Sequence, residues 1–434
     1  MTTTTPDRDR AVDVARIAAL VVVMFGHCAL LLATVDERGV HIGNLIGALP
    51  AIAPVTWLAQ VMPLFFLAGG AAGAYGYRAA TPWGAWLFTR AQRLCRPVFV
   101  YLAAWTAGLI VIRVLLGAES ADRVGRESVA LLWFLGVYLL ALAFVPALTR
   151  LRTGRAVGIT LAGLLVAAAL TDAARFASGD PLAGVSNFLV VWLIPVLFGV
   201  AYARRLLDLR VAASIGVCAF AAQVLLAAVG PYDVSLVVTG AEHVSNVSPP
   251  TLLLALHCTW MSCAFVLGAR GLQRWAQRPR VWRVVAAGNA GAMTLYLWHI
   301  PAIAVATFGL NAVGADAYDV HAPNFWTLLA LRAVVFAVVM SVFFVLLSPL
   351  EHRRLPWWDA PVRAVGARAG VTGALVCAAG VALVLTAKFG LSGWGWVALA
   401  AFVAMLVGAR VCAPAGGTPA GTAPEPRPVG LRQP

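Results

Sequence analysis

Long apolar stretches recur along the whole chain, separated by short polar segments that carry most of the charge. The runs lie near residues 14–35, 48–77, 97–117, 128–148, 155–174, 186–203, 211–230, 250–269, 284–310, 326–350, 369–387 and 394–412. A helix needs about 20 apolar residues to cross the hydrocarbon core of a bilayer. The pattern therefore predicts an all-α, polytopic transmembrane helical bundle of about twelve helices.

Composition excludes a soluble protein. The 434 residues are 61% hydrophobic and 12% charged, whereas a soluble domain carries roughly 25% charged residues. The net charge of +14 is divided among short clusters and does not form one basic face, so nucleic acid is not expected as a partner. Membrane lipid is the expected surrounding.

The basic residues indicate an orientation. With the N-terminus inside and alternating spans, inside segments contain 25 of the 32 arginines and lysines and outside loops contain five. This bias predicts cytoplasmic termini and a multi-pass protein of the cell (plasma) membrane. All but one of the basic residues are arginine, a bias typical of GC-rich bacterial genomes.

Cysteines and the C-terminus add little chemistry. The seven cysteines include no CxxC pair, so neither a metal site nor a disulfide framework is expected. Residues 413–434 are rich in Ala, Gly, Pro and Thr, which predicts a disordered cytoplasmic tail.

The first helix carries two ionisable residues, Arg16 and His27. Eleven residues apart, they share one helix face and are separated by about 16 Å along the axis. Arg16 is then near the cytoplasmic surface and His27 in the membrane interior, where ionisable groups are costly and usually functional. The alternatives are a snorkelling arginine and a histidine hydrogen-bonded between helices.

Other polar residues are predicted at the depth of His27. His257, His299 and Arg332 all fall roughly 20 Å from the cytoplasmic face at 1.5 Å per residue. A polar layer at one depth suits a buried reaction chamber.

Three arginines precede Pro97, which we expect to open the third helix. Arg90, Arg93 and Arg96, here called the arginine fork, are spaced i, i+3, i+6 and share a helix face if the segment is helical. Guanidinium groups suit a phosphate-bearing ligand. The alternatives are topology signalling and contact with lipid headgroups.

These residues resemble the acyltransferase type 3 family of integral membrane O-acyltransferases over roughly residues 7–355. The most specific feature is Asp13-Val14-Ala15-Arg16-Ile17-Ala18-Ala19 followed by His27. The further matches are Met62-Pro63-Leu64-Phe65-Phe66-Leu67, Arg93-Leu94 with Pro97, Leu132-Trp133-Phe134-Leu135, Ser248-Pro249-Pro250-Thr251 and Leu295-Tyr296-Leu297-Trp298-His299. One departure is Ala68-Gly69-Gly70, where relatives often have Ser-Gly-Phe or Ser-Gly-Tyr.

The resemblance implies an organisation and an activity. Residues 1–355 would form a ten-helix acyltransferase core, and residues 356–412 two additional transmembrane helices. The implied enzyme transfers an acyl group, often acetyl, from cytoplasmic acyl-CoA to a hydroxyl of a carbohydrate, glycolipid or other glycosylated acceptor. Acyl-CoA is then a donor substrate, and no bound cofactor or metal is expected.

Site roles follow from this chemistry. A neutral imidazole can take the proton of an attacking hydroxyl, and His27 is the expected base; an acyl-histidine intermediate is the open alternative. Arg16 and the arginine fork would hold the anionic part of the donor. His299 is a further catalytic candidate, and Glu351 would orient an arginine.

A second functional class remains open, namely a transporter or flippase of a lipid-linked sugar with a histidine-lined pathway. Transporters tend to contain repeats or broken helices in both halves. Neither is evident in the sequence, which favours the enzyme. A purely structural membrane subunit would not need the buried histidines.

Overall fold

A computed structural model describes residues 9–36, 39–240, 242 and 244–414. Its two strands, β1 (Leu31–Asp36) and β2 (Gly39–Asn44), form one antiparallel hairpin, and most other residues are helical. The α-helices are α1 (Arg10–Leu30), α2 (Leu45–Ala48), α3 (Thr56–Ala59), α4 (Met62–Gly76), α5 (Trp83–Leu116), α6 (Ala118–Ser128), α7 (Leu132–Leu142), α8 (Val145–Leu148), α9 (Gly154–Ser178), α10 (Asn187–Ala203), α11 (Leu209–Val229), α12 (Leu252–Trp275), α13 (Pro279–Ala290), α14 (Ala292–Ala312), α15 (Phe325–His352), α16 (Gly366–Phe389) and α17 (Trp394–Cys412). Short 3-10 segments cover Pro50–Val55 and Pro181–Gly184.

The predicted polytopic helical architecture is confirmed. Within the described residues, eleven helical segments are long and apolar enough to cross a membrane. The fourth predicted run differs, because it folds as α7 followed by the four-residue α8. At 1.5 Å per residue α7 is only about 16 Å long. It is nevertheless among the most buried elements of the bundle, so other helices surround it in place of lipid.

Several predicted runs are interrupted. The first run was expected to stay helical to residue 35, but α1 ends at Leu30 and the hairpin follows. The run 48–77 contains short turns before α4, with a break at Gln60–Val61. The run 284–310 is divided at Gly291 between α13 and α14. Broken helices are therefore present in both halves of the chain, contrary to the sequence-based expectation.

Helix α5 begins earlier than predicted and continues through Pro97. Proline cannot donate a backbone hydrogen bond, which leaves the carbonyl four residues earlier, that of Arg93, without its helical donor. Because Arg93 is exposed, water or lipid headgroups can satisfy this carbonyl. Pro97 thus lies inside the helix, and all three arginines of the fork are helical.

Helix α1 lies at the centre of the bundle, in contact with α4, α12, α13, α14 and α15. Glycines bring other helix backbones together. A Cβ on Gly199 of α10 would lie 2.0 Å from the Leu67 carbonyl oxygen of α4, and one on Gly136 of α7 would lie 2.5 Å from the Gly380 oxygen of α16. Small residues at such crossings are typical of membrane helix packing.

The last two helices pack closely on the rest of the bundle. Helix α16 contacts α17, α7 and α5, and Asp359 in the preceding segment forms an ion pair with Arg96 of α5. The division into a core and two additional helices remains a prediction, as does the orientation of the termini. The predicted tail lies outside the described residues from position 415 onward.

Candidate active site

Two histidines from different helices meet inside the bundle. The rings of His27 in α1 and His299 in α14 have centroids 5.4 Å apart and planes at 90°. His299 is completely buried, whereas His27 keeps partial exposure. The structure thus brings two of the three histidines predicted at one depth into direct contact.

The hydrogen bonding of His299 defines its protonation pattern. Its Nδ1 lies 2.7 Å from the backbone oxygen of Tyr296. A carbonyl oxygen can only accept, so Nδ1 carries the hydrogen and, in the neutral ring, Nε2 carries a lone pair. This Nε2 is buried and has no hydrogen-bond partner within the described part of the chain. The pair therefore contains one free basic nitrogen held at fixed orientation.

Tyr296 fixes the segment that presents His299. Its hydroxyl donates to the Leu131 backbone oxygen at 2.6 Å, and its ring packs edge-on against Phe134. These contacts join α14 to the start of α7 and set the rotation of α14 about its axis.

His257 has a separate environment. Its Nε2 lies 2.7 Å from the Gln60 backbone oxygen, and its ring packs edge-on against Trp260. Gln60 in turn donates from its side chain to the Leu236 oxygen at 2.8 Å. His257 thus ties α12 to the helix break before α4 and, through Gln60, to the segment between α11 and α12.

Arg16 and Arg90 share a neighbour that sequence reasoning missed. The Tyr138 side chain in α7 lies within electrostatic range of both guanidinium groups. The Tyr138 hydroxyl occupies the space beside Gly69, where a Cβ would lie 2.3 Å from it. The absence of a side chain at Gly69 therefore makes room for the Tyr138 phenol. A tyrosine in an apolar run gave no sequence signal for this position.

Further contacts orient these two arginines. The Arg90 guanidinium carbon lies 4.9 Å from the Trp86 ring centroid, and Nη2 lies against Gly76. Arg16 donates from Nη1 to the Asn289 side-chain oxygen at 3.5 Å. Asn289 itself donates to the backbone oxygens of Asp13 and Val285. We call Arg16, Arg90 and Tyr138 the arginine–tyrosine cluster.

The other two arginines of the fork have different surroundings. Arg93 is exposed. Arg96 pairs with Asp359 at 3.3 Å, and the same Asp359 oxygen accepts from the Leu355 backbone N–H. The spacing places all three on α5, but only Arg90 belongs to the cluster with Arg16.

Glu351 contacts the start of the His299 helix. Its Oε2 accepts from the backbone N–H of Thr294 at 2.9 Å and from the Thr294 hydroxyl at 2.7 Å. A carboxylate at a helix N-terminus satisfies free N–H groups and complements the helix dipole. Glu351 was expected to orient an arginine; its contacts in the structure are instead with Thr294. Its role in catalysis remains a prediction.

Fold and site together define a polytopic helical membrane protein with a buried histidine pair and an arginine–tyrosine cluster, both built around the first helix. No group of three or more potential metal ligands occurs among the described residues.

Residues 9–348 match the family model described as Acyltransferase domain, Acyl_transf_3. The chain belongs to this family, which confirms the resemblance based on its motifs. It is accordingly a membrane acyltransferase. No curated protein and no solved structure matched the chain.

Proposed function

We propose that the protein transfers an acyl group, most simply acetyl, from acyl-CoA to a hydroxyl of a carbohydrate or glycosylated acceptor. One observation carries the proposal: His27, partly exposed, contacts a completely buried histidine that has a free basic nitrogen. A proton-accepting imidazole is the group that activation of a hydroxyl requires. Family membership supports acyl transfer in general terms.

In the proposed reaction His27 acts as general base. It takes the proton as the acceptor oxygen attacks the thioester carbonyl carbon. The carbon–oxygen bond forms, the carbon–sulfur bond breaks, and the CoA thiolate leaves and recovers the proton from the His27 imidazolium. The lone pair on His299 Nε2 would accept a hydrogen bond from that imidazolium and stabilise it. An acyl-histidine route would instead begin with attack by His27 itself.

The donor is proposed to bind with its phosphates at the arginine–tyrosine cluster. Arg16 and His27 are eleven residues apart on α1, about 16 Å along the axis. The long thiol-bearing arm of CoA would span this distance. Arg90 is a better phosphate ligand than Arg96, because Arg96 is already paired with Asp359. Arg93, exposed in the middle of the same row, would contact only the outer part of the donor.

The orientation of the site rests on the distribution of charge. Basic residues on the side of the arginine–tyrosine cluster predict that this side faces the cytoplasm, where acyl-CoA is found. The proposed location is the plasma membrane.

The direct test replaces His27 by alanine. A strain lacking the protein is complemented with wild type or with His27→Ala, and cell-surface glycans are examined by mass spectrometry. The wild type should restore an acetyl mass that the variant does not, because loss of a general base typically costs about 10²–10⁴ in rate. Membrane levels of both proteins are compared by immunoblot. Near-normal acylation by the variant would refute the proposed base.

The transporter alternative has one structural feature in its favour. The breaks at Gln60–Val61 and at Gly291 lie in the two halves of the chain, and broken helices often line transport pathways. A transporter in proteoliposomes would move a lipid-linked sugar without acyl-CoA and would release no CoA thiol. Donor-dependent thiol release by the purified wild type, absent in His27→Ala, would favour the enzyme.

A further inference from the structure

A charged pair is buried near Cys28, the residue that follows His27. Arg332 of α15 and Asp316, in the segment between α14 and α15, both have no exposed side-chain surface. Arg332 Nη1 lies 3.5 Å from Asp316 Oδ1 and donates to the Ala317 backbone oxygen at 3.3 Å. The mechanism proposed above does not use these residues.

Three of the five nitrogen and oxygen atoms of this pair's side chains make no hydrogen bond within the described residues. Arg332 Nε and Nη2, and Asp316 Oδ2, have no partner among the residues that the structure describes. Buried ionised groups are normally retained only when their remaining donors and acceptors are satisfied. The pair therefore offers two donors and one acceptor to a group that is not part of the described protein.

The position of the pair relates it to His27. The Arg332 guanidinium lies next to the thiol of Cys28, the residue after His27. One turn away, Phe25 of α1 packs edge-on against Phe336 of α15 with centroids 5.3 Å apart. Consecutive residues rise about 1.5 Å along a helix, so Arg332 lies at nearly the same level as the histidine pair.

The free donors of Arg332 and the free acceptor of Asp316 limit the classes of ligand that could bind between them. A phosphate or carboxylate would satisfy Arg332 but would be repelled by Asp316 and could not donate to its free oxygen. An alcohol with a single hydroxyl would satisfy only part of the set. Neighbouring hydroxyls of a sugar can accept from the guanidinium and donate to the carboxylate at the same time.

We infer that Arg332 and Asp316 form the acceptor subsite, in which they hold adjacent hydroxyls of a sugar while a further hydroxyl reaches His27. This inference rests on the proposed acyl transfer and adds to it the residues that select a polyhydroxylated acceptor. An apolar cluster of Leu32, Leu45, Ala317 and Phe325 covers this end of the bundle, so the sugar must displace part of that cover to enter.

The test compares two probes with the same alkyl chain, n-octyl β-D-glucopyranoside and 1-octanol. Transfer from radiolabelled acetyl-CoA is measured for wild type and for Asp316→Asn. The ratio of kcat/KM for the glucoside to that for octanol should fall at least tenfold in the variant. The matched control is Asp319→Asn, because Asp319 is an exposed carboxylate of the same segment whose bond is to the His321 N–H. An unchanged ratio in Asp316→Asn would overturn the subsite.

A charge exchange separates recognition from folding. The double variant Asp316→Arg/Arg332→Asp restores an ion pair and should restore thermal stability, but it moves the donors and acceptors, so the glucoside ratio should remain low. If the double variant recovered both the glucoside-to-octanol ratio of kcat/KM and the thermal stability, the role of the pair would be structural only, and the proposal would be overturned.

Binding without donor distinguishes this inference from the proposed function. Wild-type protein should bind labelled octyl glucoside saturably, with displacement by methyl glucoside and not by octanol. Such binding without any acetyl transfer would refute the transferase and retain the sugar site. Transfer to octanol without saturable glucoside binding would refute the sugar site alone.

Discussion

Replacement of His299 by phenylalanine would remove both ring nitrogens and retain a flat ring of similar size. The variant loses the hydrogen bond from Nδ1 to the Tyr296 oxygen and the free lone pair on Nε2. The first loss affects stability by roughly 0.5–1.5 kcal/mol, which a well-packed bundle should tolerate. The second loss affects the reaction, because the His27 imidazolium would have no acceptor beside it.

The size of the catalytic effect follows from the type of bond. A hydrogen bond to a charged group contributes about 1.5–3 kcal/mol, and each 1.4 kcal/mol corresponds to about a factor of ten in rate. We therefore expect kcat to fall roughly 10- to 150-fold. The KM for acyl-CoA should change little, because the proposed donor site is the arginine–tyrosine cluster. Its residue on α1, Arg16, lies about three helical turns from His27.

The assay is donor-dependent release of CoA thiol by purified protein, with the acceptor in excess. His257→Phe is the matched control. His257 is also completely buried, with one ring nitrogen against a backbone oxygen and the other without a partner in the described residues, but its ring packs on Trp260. If His299→Phe kept more than a third of wild-type kcat, or if both variants fell equally at equal folded yield, the role assigned to His299 would be wrong.

Two other substitutions test the donor site and the helix packing. Arg90→Ala should raise the KM for acyl-CoA about tenfold or more, because a charge-assisted bond is lost. The control is Arg93→Ala, at an exposed position of the same helix, which should change this KM less than threefold. Equal effects of the two substitutions in donor titrations would contradict the assignment of Arg90. Gly136→Val should lower the thermal unfolding midpoint, since overpacking typically costs about 1–3 kcal/mol. Gly163→Val is the control and should leave the midpoint unchanged, because no atom lies within 4 Å of a Cβ at that position. A midpoint unchanged by Gly136→Val would contradict the close crossing of α7 and α16.

The helical architecture could be predicted because length and hydropathy alone decide whether a segment can cross a bilayer. The exceptions depend on tertiary contacts. Helix α7 is too short to span but is buried by its neighbours, and its apolar composition is the same in either case. The hairpin after Leu30 was missed because β-strand residues such as Leu31 and Leu32 extend the apolar run of α1 without a polar boundary.

Only part of the site could be predicted, for a geometric reason. Spacing along a helix predicts the depth of a residue, and the contact between His27 and His299 agrees with the equal depths predicted for them. Contact also requires the rotation of each helix and the identity of its neighbours, which spacing does not contain. His257 was predicted at the same depth, but in the structure its ring contacts Gln60. Similarly, Arg96 fits the spacing of the fork but pairs with Asp359, more than 260 residues away in the chain.

The break at Gly291 explains how one helix can serve two separate polar regions. A Cβ at Gly291 would lie 2.3 Å from the Phe344 ring of α15, so a side chain at this position would require that ring to move. Before the break, Asn289 in α13 meets Arg16; after it, His299 in α14 meets His27. A continuous helix would fix the angle between these two residues, whereas the break lets each segment take its own direction. Glu351 binds Thr294 directly after the break and so sets where α14 begins. Arg16 thus contacts the segment before the break, through Asn289, and His27 contacts the segment after it, through His299.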